Sequence, residues 1–197
     1  SADESLRVGF ADRTLGNQIP SKQLKAGREI RTKLMQQGIL KPNGHETLRG
    51  FVTVPLTDIE GTTTGLYGLR VDNKGKDQAQ LTIGSGWFNA AALTSFEEII
   101  VCANVLDAWT FHAAGHTNVV AVEGTPLEKT FFHRVKRILL AAPSIDIELF
   151  EQTELMQIHF PEGMTVNEYA LLNRSLDDAL GKRIRAATMV SSPSVHE

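Results

Sequence analysis

The chain has 197 residues, 42% hydrophobic and 22% charged, with 20 Lys and Arg against 23 Asp and Glu for a net charge of −3. That is ordinary globular composition, apolar enough to bury a core and unlike that of a disordered chain. No apolar run approaches the roughly 20 residues that cross a bilayer, and no basic-then-apolar secretory signal opens the sequence, so no membrane partner and a cytoplasmic location are expected.

Residues 1–20 mix Gly, Asp, Asn and Pro with isolated apolar residues and read as loop and short strand. From Ser21 to Gln37 the spacing of Leu24, Ile30 and Leu34 predicts a helix, with Gly38 as its stop. Gly50–Leu56 and Thr64–Val71, rich in Val, Thr, Phe and Tyr, read as paired strands joined by a turn at Thr57–Gly61. Pro55 suggests a strand edge or end. The polar run Asp72–Asp77 is the expected boundary between a first part, residues 1–76, and a second, residues 77–197.

Beyond residue 97 strands and helices alternate. Strands are expected at Glu98–Cys102, Asn118–Val122, Arg137–Ala142 and Leu155–Phe160, and helices at Asn104–Ala114 and Leu127–Val135. Short apolar strands separated by helices imply a mainly parallel sheet covered on both faces. Thr165 with Glu168 forms a capping-box pattern, and Ser175 with Asp178 a similar helix start. The single cysteine, Cys102, lies in an apolar strand and reads as a buried small hydrophobe.

Nucleotide and nucleophile motifs fail one by one. Gly61, Gly65 and Gly68 are followed by no Gly-Lys-Ser/Thr and lie in a strand pair, which excludes a phosphate loop. No Gly-x-Ser-x-Gly elbow occurs, and Gly115 interrupts the helix between His112 and His116, removing their only metal-like spacing. Residues 1–76 hold 12 basic and 8 acidic residues, while residues 77–197 hold 8 and 15. A basic first part is compatible with a phosphate-binding surface or with a merely solvated face.

Five segments appear in one shared order: Arg7–Pro20, Lys25–Glu46 ending in Gly44-His45-Glu46, Phe51–Val71 with Tyr67-Gly68-Leu69-Arg70, Glu97–Gly124, and His159–Ala187 with Pro161-Glu162-Gly163-Met164 and Asn167-Glu168-Tyr169-Ala170. Over most of the chain this order resembles a bacterial primase-like family, often carried on mobile elements, whose core is related to the DnaG-type replicative primase. The resemblance implies an α/β fold: a Toprim-like, mainly parallel sheet flanked by helices, preceded by a small mixed α/β primase-core subdomain.

Residue by residue, the resemblance also implies a degenerate site. A Toprim enzyme places a Glu at the end of the first strand and an Asp-x-Asp after a later one, where they hold Mg²⁺ and move a proton. Asp107 matches the acid of the first motif, but Ala103 stands at the Glu position, and Pro143-Ser144-Ile145-Asp146 follows the strand where Asp-x-Asp is expected. Asp146, Glu148 and Glu123 are the acids that a relocated metal site would use; otherwise Asp107 is an acid favoured by the helix dipole.

The function so implied is a catalytically degenerate primase-like protein of DNA replication. It would need no cofactor and be retained for binding single-stranded DNA or RNA, or a replication protein such as a helicase or polymerase. The nucleic-acid contacts would come from Lys25, Arg28, Arg31, His45, Arg49 and Arg70. The alternatives are an active Mg²⁺-dependent primase or nuclease with relocated ligands, and a regulatory decoy of a primase.

Overall fold

The structure is a computed structural model that describes residues 6–71, 79–142, 144, 145, 150 and 153–190. The polar run at Asp72–Asp77 lies outside the described residues. The chain divides into two compact units, one running to Asp58 and resuming at Thr62–Gly86, the other comprising Ile59–Gly61 and the chain from Trp87 onward.

The first unit contains β1 (Gly9–Phe10), α1 (Leu15–Gln18), α2 (Lys25–Gln36), β2 (Phe51–Thr57), β3 (Thr63–Arg70) and β4 (Gln80–Gly84). β2 and β3 form an antiparallel hairpin, β4 lies antiparallel beside β3, and β1 pairs with β2 through Gly9↔Thr53 and Phe10↔Val52. Alternation puts Val54, Leu56 and Tyr67 on one face of the hairpin, while Phe51, of opposite parity, is buried on the other face with Leu48; Leu40 of the preceding loop is buried too. Pro55 sits within β2 opposite Leu66, not at its end. A proline removes one ladder donor, and the register slips directly afterwards, between Leu56 and Thr57.

α2 begins at Lys25, four residues later than Ser21, because Leu24 is still extended. Its buried residue is Gly27. A Cβ at Gly27 would collide with the carbonyl oxygens of Pro20 and Ser21, so only glycine lets the incoming chain lie this close to the helix. Arg31, one turn on, fastens the same chain by donating to the carbonyls of Pro20, Gly27 and Gly16.

The second unit begins within β5 (Gly86–Phe88) and continues through α3 (Ala92–Ser95), β6 (Glu98–Cys102), α4 (Val105–Ala113), β7 (Val119–Glu123), β8 (Arg137–Leu140), β9 (Glu154–Gln157), α5 (Val166–Leu171), α6 (Leu176–Arg185) and β10 (Thr188–Met189). β6 is central, parallel to β7 on one side and to β8 on the other; β9 is parallel to β8, and β10 antiparallel to β9. Ile99, Ile100, Val101 and Cys102 are all buried, as expected of a parallel strand covered on both faces. Each such fully buried aliphatic side chain contributes about 1.5–3 kcal/mol. Arg137 on β8 reaches Glu98 at 3.0 Å and Glu154 at 3.1 Å, a charged rung that fits the parallel register of β6, β8 and β9. This is the expected α/β architecture.

The helix expected over Leu127–Val135 is instead a single 3₁₀ turn, Lys129–Phe132. Phe131 and Phe132 both meet the Trp87 ring edge-on, at 5.3 and 6.1 Å between centroids, and Phe132 also meets Phe150 at 5.0 Å. The stretch is held by these ring contacts to Trp87 and Phe150 and not by a continuous helical ladder. Gln80–Gly84, Gly86–Phe88 and Ala92–Ser95 carry too short a pattern to be assigned from sequence.

Replacing Gly27 with Ala forces the added methyl into backbone carbonyls and is expected to lower stability by about 1–3 kcal/mol, the usual cost of overpacking. Thermal unfolding of Gly27→Ala against the parent chain measures it.

Candidate functional site

In each unit the described residues form a cleft that chemistry could use. In the second unit, Asn104 opens α4 as its N-cap: its side-chain oxygen accepts from the Asp107 N–H at 2.8 Å, and its amide donates to Asp107 Oδ2 at 2.8 Å. The other carboxylate oxygen, Oδ1, accepts from the backbone N–H of Asn167 at 3.0 Å. Asn167 lies in the first turn of α5, whose N-terminus also carries the Thr165–Glu168 capping box anticipated from sequence. The Asn167 side chain donates to Thr110 Oγ1 at 2.9 Å, and that hydroxyl donates to the Leu106 carbonyl. Asp107 therefore joins α4 to α5 across 60 residues of chain.

Asp107 is 6% exposed. Burial raises its carboxyl pKa most; hydrogen bonds from Asn167 and Asn104 oppose this, and the Glu168 charge adds to it. Glu168 is held low by the Thr165 backbone N–H and hydroxyl. Burial also pushes the neighbouring Cys102 thiol well up, with the Asp107 charge adding, which keeps it a packing residue.

Around Asp107 a cleft of about 550 Å³ opens at the C-terminal ends of β6 and β8. Val101 pairs with Leu140, so Ala103 on one strand and Ala141-Ala142 on the other occupy neighbouring positions there. Mg²⁺ prefers several oxygen ligands, carboxylates foremost. Here three alanines stand at the strand ends, and both Asp107 oxygens accept protein hydrogen bonds. These residues do not fit the ion. Among the described residues no group of three His, Cys, Asp or Glu could hold a metal. Asp146 and Glu148 lie outside the described residues, and Glu123 ends β7.

In the first unit Arg13, Lys41, Asn43, His45, Glu46, Thr47, Arg49 and Arg70 line a polar cleft of about 510 Å³. Its walls follow from local chemistry. Pro42 and Asn43 turn the chain, closed by the Gly44 N–H on the Lys41 carbonyl at 2.8 Å, while the Asn43 side chain accepts from the His45 N–H at 3.1 Å. Glu46 accepts from the Leu15 N–H at 3.0 Å, fastening the start of α1 to this loop. Arg70 lies 4.4 Å over the Phe51 ring. Gly68 lets Leu48 and Phe51 pack beneath it, since a Cβ there would come within 2.8 and 2.9 Å of their side chains.

Sequence reading missed Arg13 and Lys41, which the loop geometry brings to this cleft. Arg13 has φ +77°, a conformation costing a non-glycine residue about 1–2 kcal/mol. The Asp12 carboxylate, accepting from the Thr14 N–H at 3.0 Å and its hydroxyl at 2.6 Å, folds the turn that imposes it. Those bonds hold the Asp12 pKa low. Lys25, Arg28 and Arg31 do not line the cleft: Lys25 pairs with Glu29 at 3.8 Å, Arg28 donates to the Gln23 carbonyl, and Arg31 is bound to three carbonyls.

Asp107→Ala leaves the Asn167 N–H and the Asn104 amide without their buried acceptor and is expected to cost about 1–3 kcal/mol. The pH dependence has a definite sign. With the folded-state pKa above the ordinary value, the native protein takes up the proton first on acidification. Parent stability relative to Asp107→Asn therefore rises as pH falls from the folded pKa toward the ordinary one, and is flat above that window. Urea unfolding of both chains across acidic pH measures it.

No family model and no curated protein sequence matches this chain. Solved structures do. The chain superimposes on the Aquifex aeolicus primase zinc-binding and RNA polymerase domains with TM-score 0.68 and 18% identity, covering 93% of this chain and 51% of that one. It matches a DnaG catalytic core with TM-score 0.69 and 15% identity, and a DnaG primase catalytic domain bound to single-stranded DNA with TM-score 0.67 and 16% identity, each over 92% of this chain and 66% of that one. The chain thus spans about half to two thirds of the length of these structures. At such low identity the likeness concerns architecture alone: this chain has the fold of a bacterial primase catalytic core.

Proposed function

We propose that this chain binds single-stranded nucleic acid through the basic cleft of its first unit and does not transfer nucleotides. The observation that carries the reading is the convergence of Arg13, Lys41, His45, Arg49 and Arg70 on one cleft whose lining carboxylate, Glu46, is already hydrogen bonded. Cationic side chains around an open polar groove form the footprint of a phosphate backbone. Arg49, Lys41 and Arg13 are exposed, and Arg70 over Phe51 is pre-positioned on a rigid strand. A fold shared with a primase domain bound to single-stranded DNA supports the same choice of ligand.

The proposed loss of catalysis is supported by Ala103, which stands where the family resemblance puts the Glu that phosphoryl transfer through Mg²⁺ uses, and by the lack of any other carboxylate than Asp107 and Glu162 among the described residues that line this cleft. No cofactor enters the proposal. Its place in DNA replication is that of a binding partner to primed or unprimed strands.

Fluorescence anisotropy with a single-stranded oligonucleotide at two salt concentrations tests the binding. Affinity is expected to fall steeply with salt, and Arg49→Ala is expected to reduce the logarithmic salt slope by about 1 for its lost phosphate contact. Lys25→Ala, outside the cleft, should leave the slope unchanged. Absence of binding at low salt sinks the proposal, and Mg²⁺-dependent primer synthesis sinks its catalytic half.

A further inference from the structure

The cleft of the second unit lies where an α/β sheet ordinarily receives a ligand. From β6 the chain crosses by α4 to β7 on one side, whereas from β8 it crosses to β9 on the other. Connections that depart in opposite directions leave a crevice beyond the carboxyl ends of the two strands, and ligands of open α/β sheets bind in such crevices. The cleft of about 550 Å³ is in that position and within the size range of small-molecule sites.

Its chemistry selects what can enter. Ala103, Ala141 and Ala142 line it at the strand ends, and Ile158, Phe160 and Met164 add apolar wall. Among the described residues no Lys or Arg is in the lining. The charged groups there are Asp107 and Glu162, with His159 hydrogen bonded to Thr188, so a phosphate would meet repulsion rather than pairing. Asp107 has both oxygens engaged, and the Thr165 hydroxyl is engaged with Glu168. Phe160 is braced edge-on by Phe111 at 6.5 Å and by Tyr169 at 5.5 Å. A fixed, half-buried ring facing an apolar cleft favours stacking by another ring.

The geometry points to a metal-independent site for an uncharged planar heteroaromatic group at the C-terminal ends of β6 and β8. Heteronuclear NMR of the full chain tests it with three probes in separate titrations: indole, adenosine and MnCl₂. Saturable shifts of the Ala103, Ala141 and Phe160 resonances are expected with indole, with adenosine, or with both, in the absence of metal. Which of the two binds distinguishes a free aromatic metabolite from a nucleoside. Ala103→Trp, at an exposed position that fills the cleft without touching the Asp107 hydrogen bonds, should weaken binding at least tenfold. Phe160→Ala should do the same by removing the platform. The inference is overturned if neither organic probe gives saturable shifts, if the shifts persist in Ala103→Trp, or if MnCl₂ alone saturates a site around Asp107 that Asp107→Asn removes.

Discussion

A buried carboxylate is the constraint around which the second unit is organised. Asp107 sits in the first turn of α4, where the helix dipole favours an acid, yet its oxygens accept from Asn104 on its own helix and from the Asn167 backbone at the start of α5. Charge at so buried a position is costly unless hydrogen bonded, and here each oxygen has a donor. The result fixes α5, and with it the Pro161–Thr165 segment that walls the cleft. An acid in that arrangement supports architecture, each of its oxygens already accepting a protein hydrogen bond.

The same residue helps hold the frame of the primase fold. Parallel strands β6, β8 and β9 still end side by side, as a two-carboxylate site would need, and the helices still cover the sheet. Ala103, Ala141 and Ala142 line the cleft at the strand ends, and none of them takes part in the hydrogen bonds that join α4 to α5. The frame of this unit lies in apolar strands and helix caps, separate from the side chains that line the cleft.

In the first unit the decisive feature is how glycine and proline steer loops. Gly27 admits the backbone of Pro20 and Ser21 against α2, Pro42 and Asn43 turn the chain toward His45, and Asp12 bends it so that Arg13 takes a left-handed conformation. These local devices gather cations that are up to 57 residues apart in sequence around one cleft. They also divide the basic residues into two kinds, since Arg31 is engaged with carbonyls while Arg49 faces solvent.

Much of the architecture was legible beforehand. The apolar runs of β6, β7 and β8 announced buried parallel strands, and Thr165–Glu168 and Ser175–Asp178 announced two helix starts, because each signal is local and its periodicity or capping chemistry acts within a few residues. What only the tertiary structure decided depends on distant partners. At 127–135 a 3₁₀ turn stands in place of the expected helix, and its phenylalanines pack against the distant Trp87. Asp107 becomes a tie between helices only because Asn167 folds against it, and Arg13 joins His45 and Arg70 only because two separate turns and the end of β3 come together. Sequence specified most of the elements; the fold specified which polar groups are engaged with one another, since that depends on through-space contacts that no local pattern encodes.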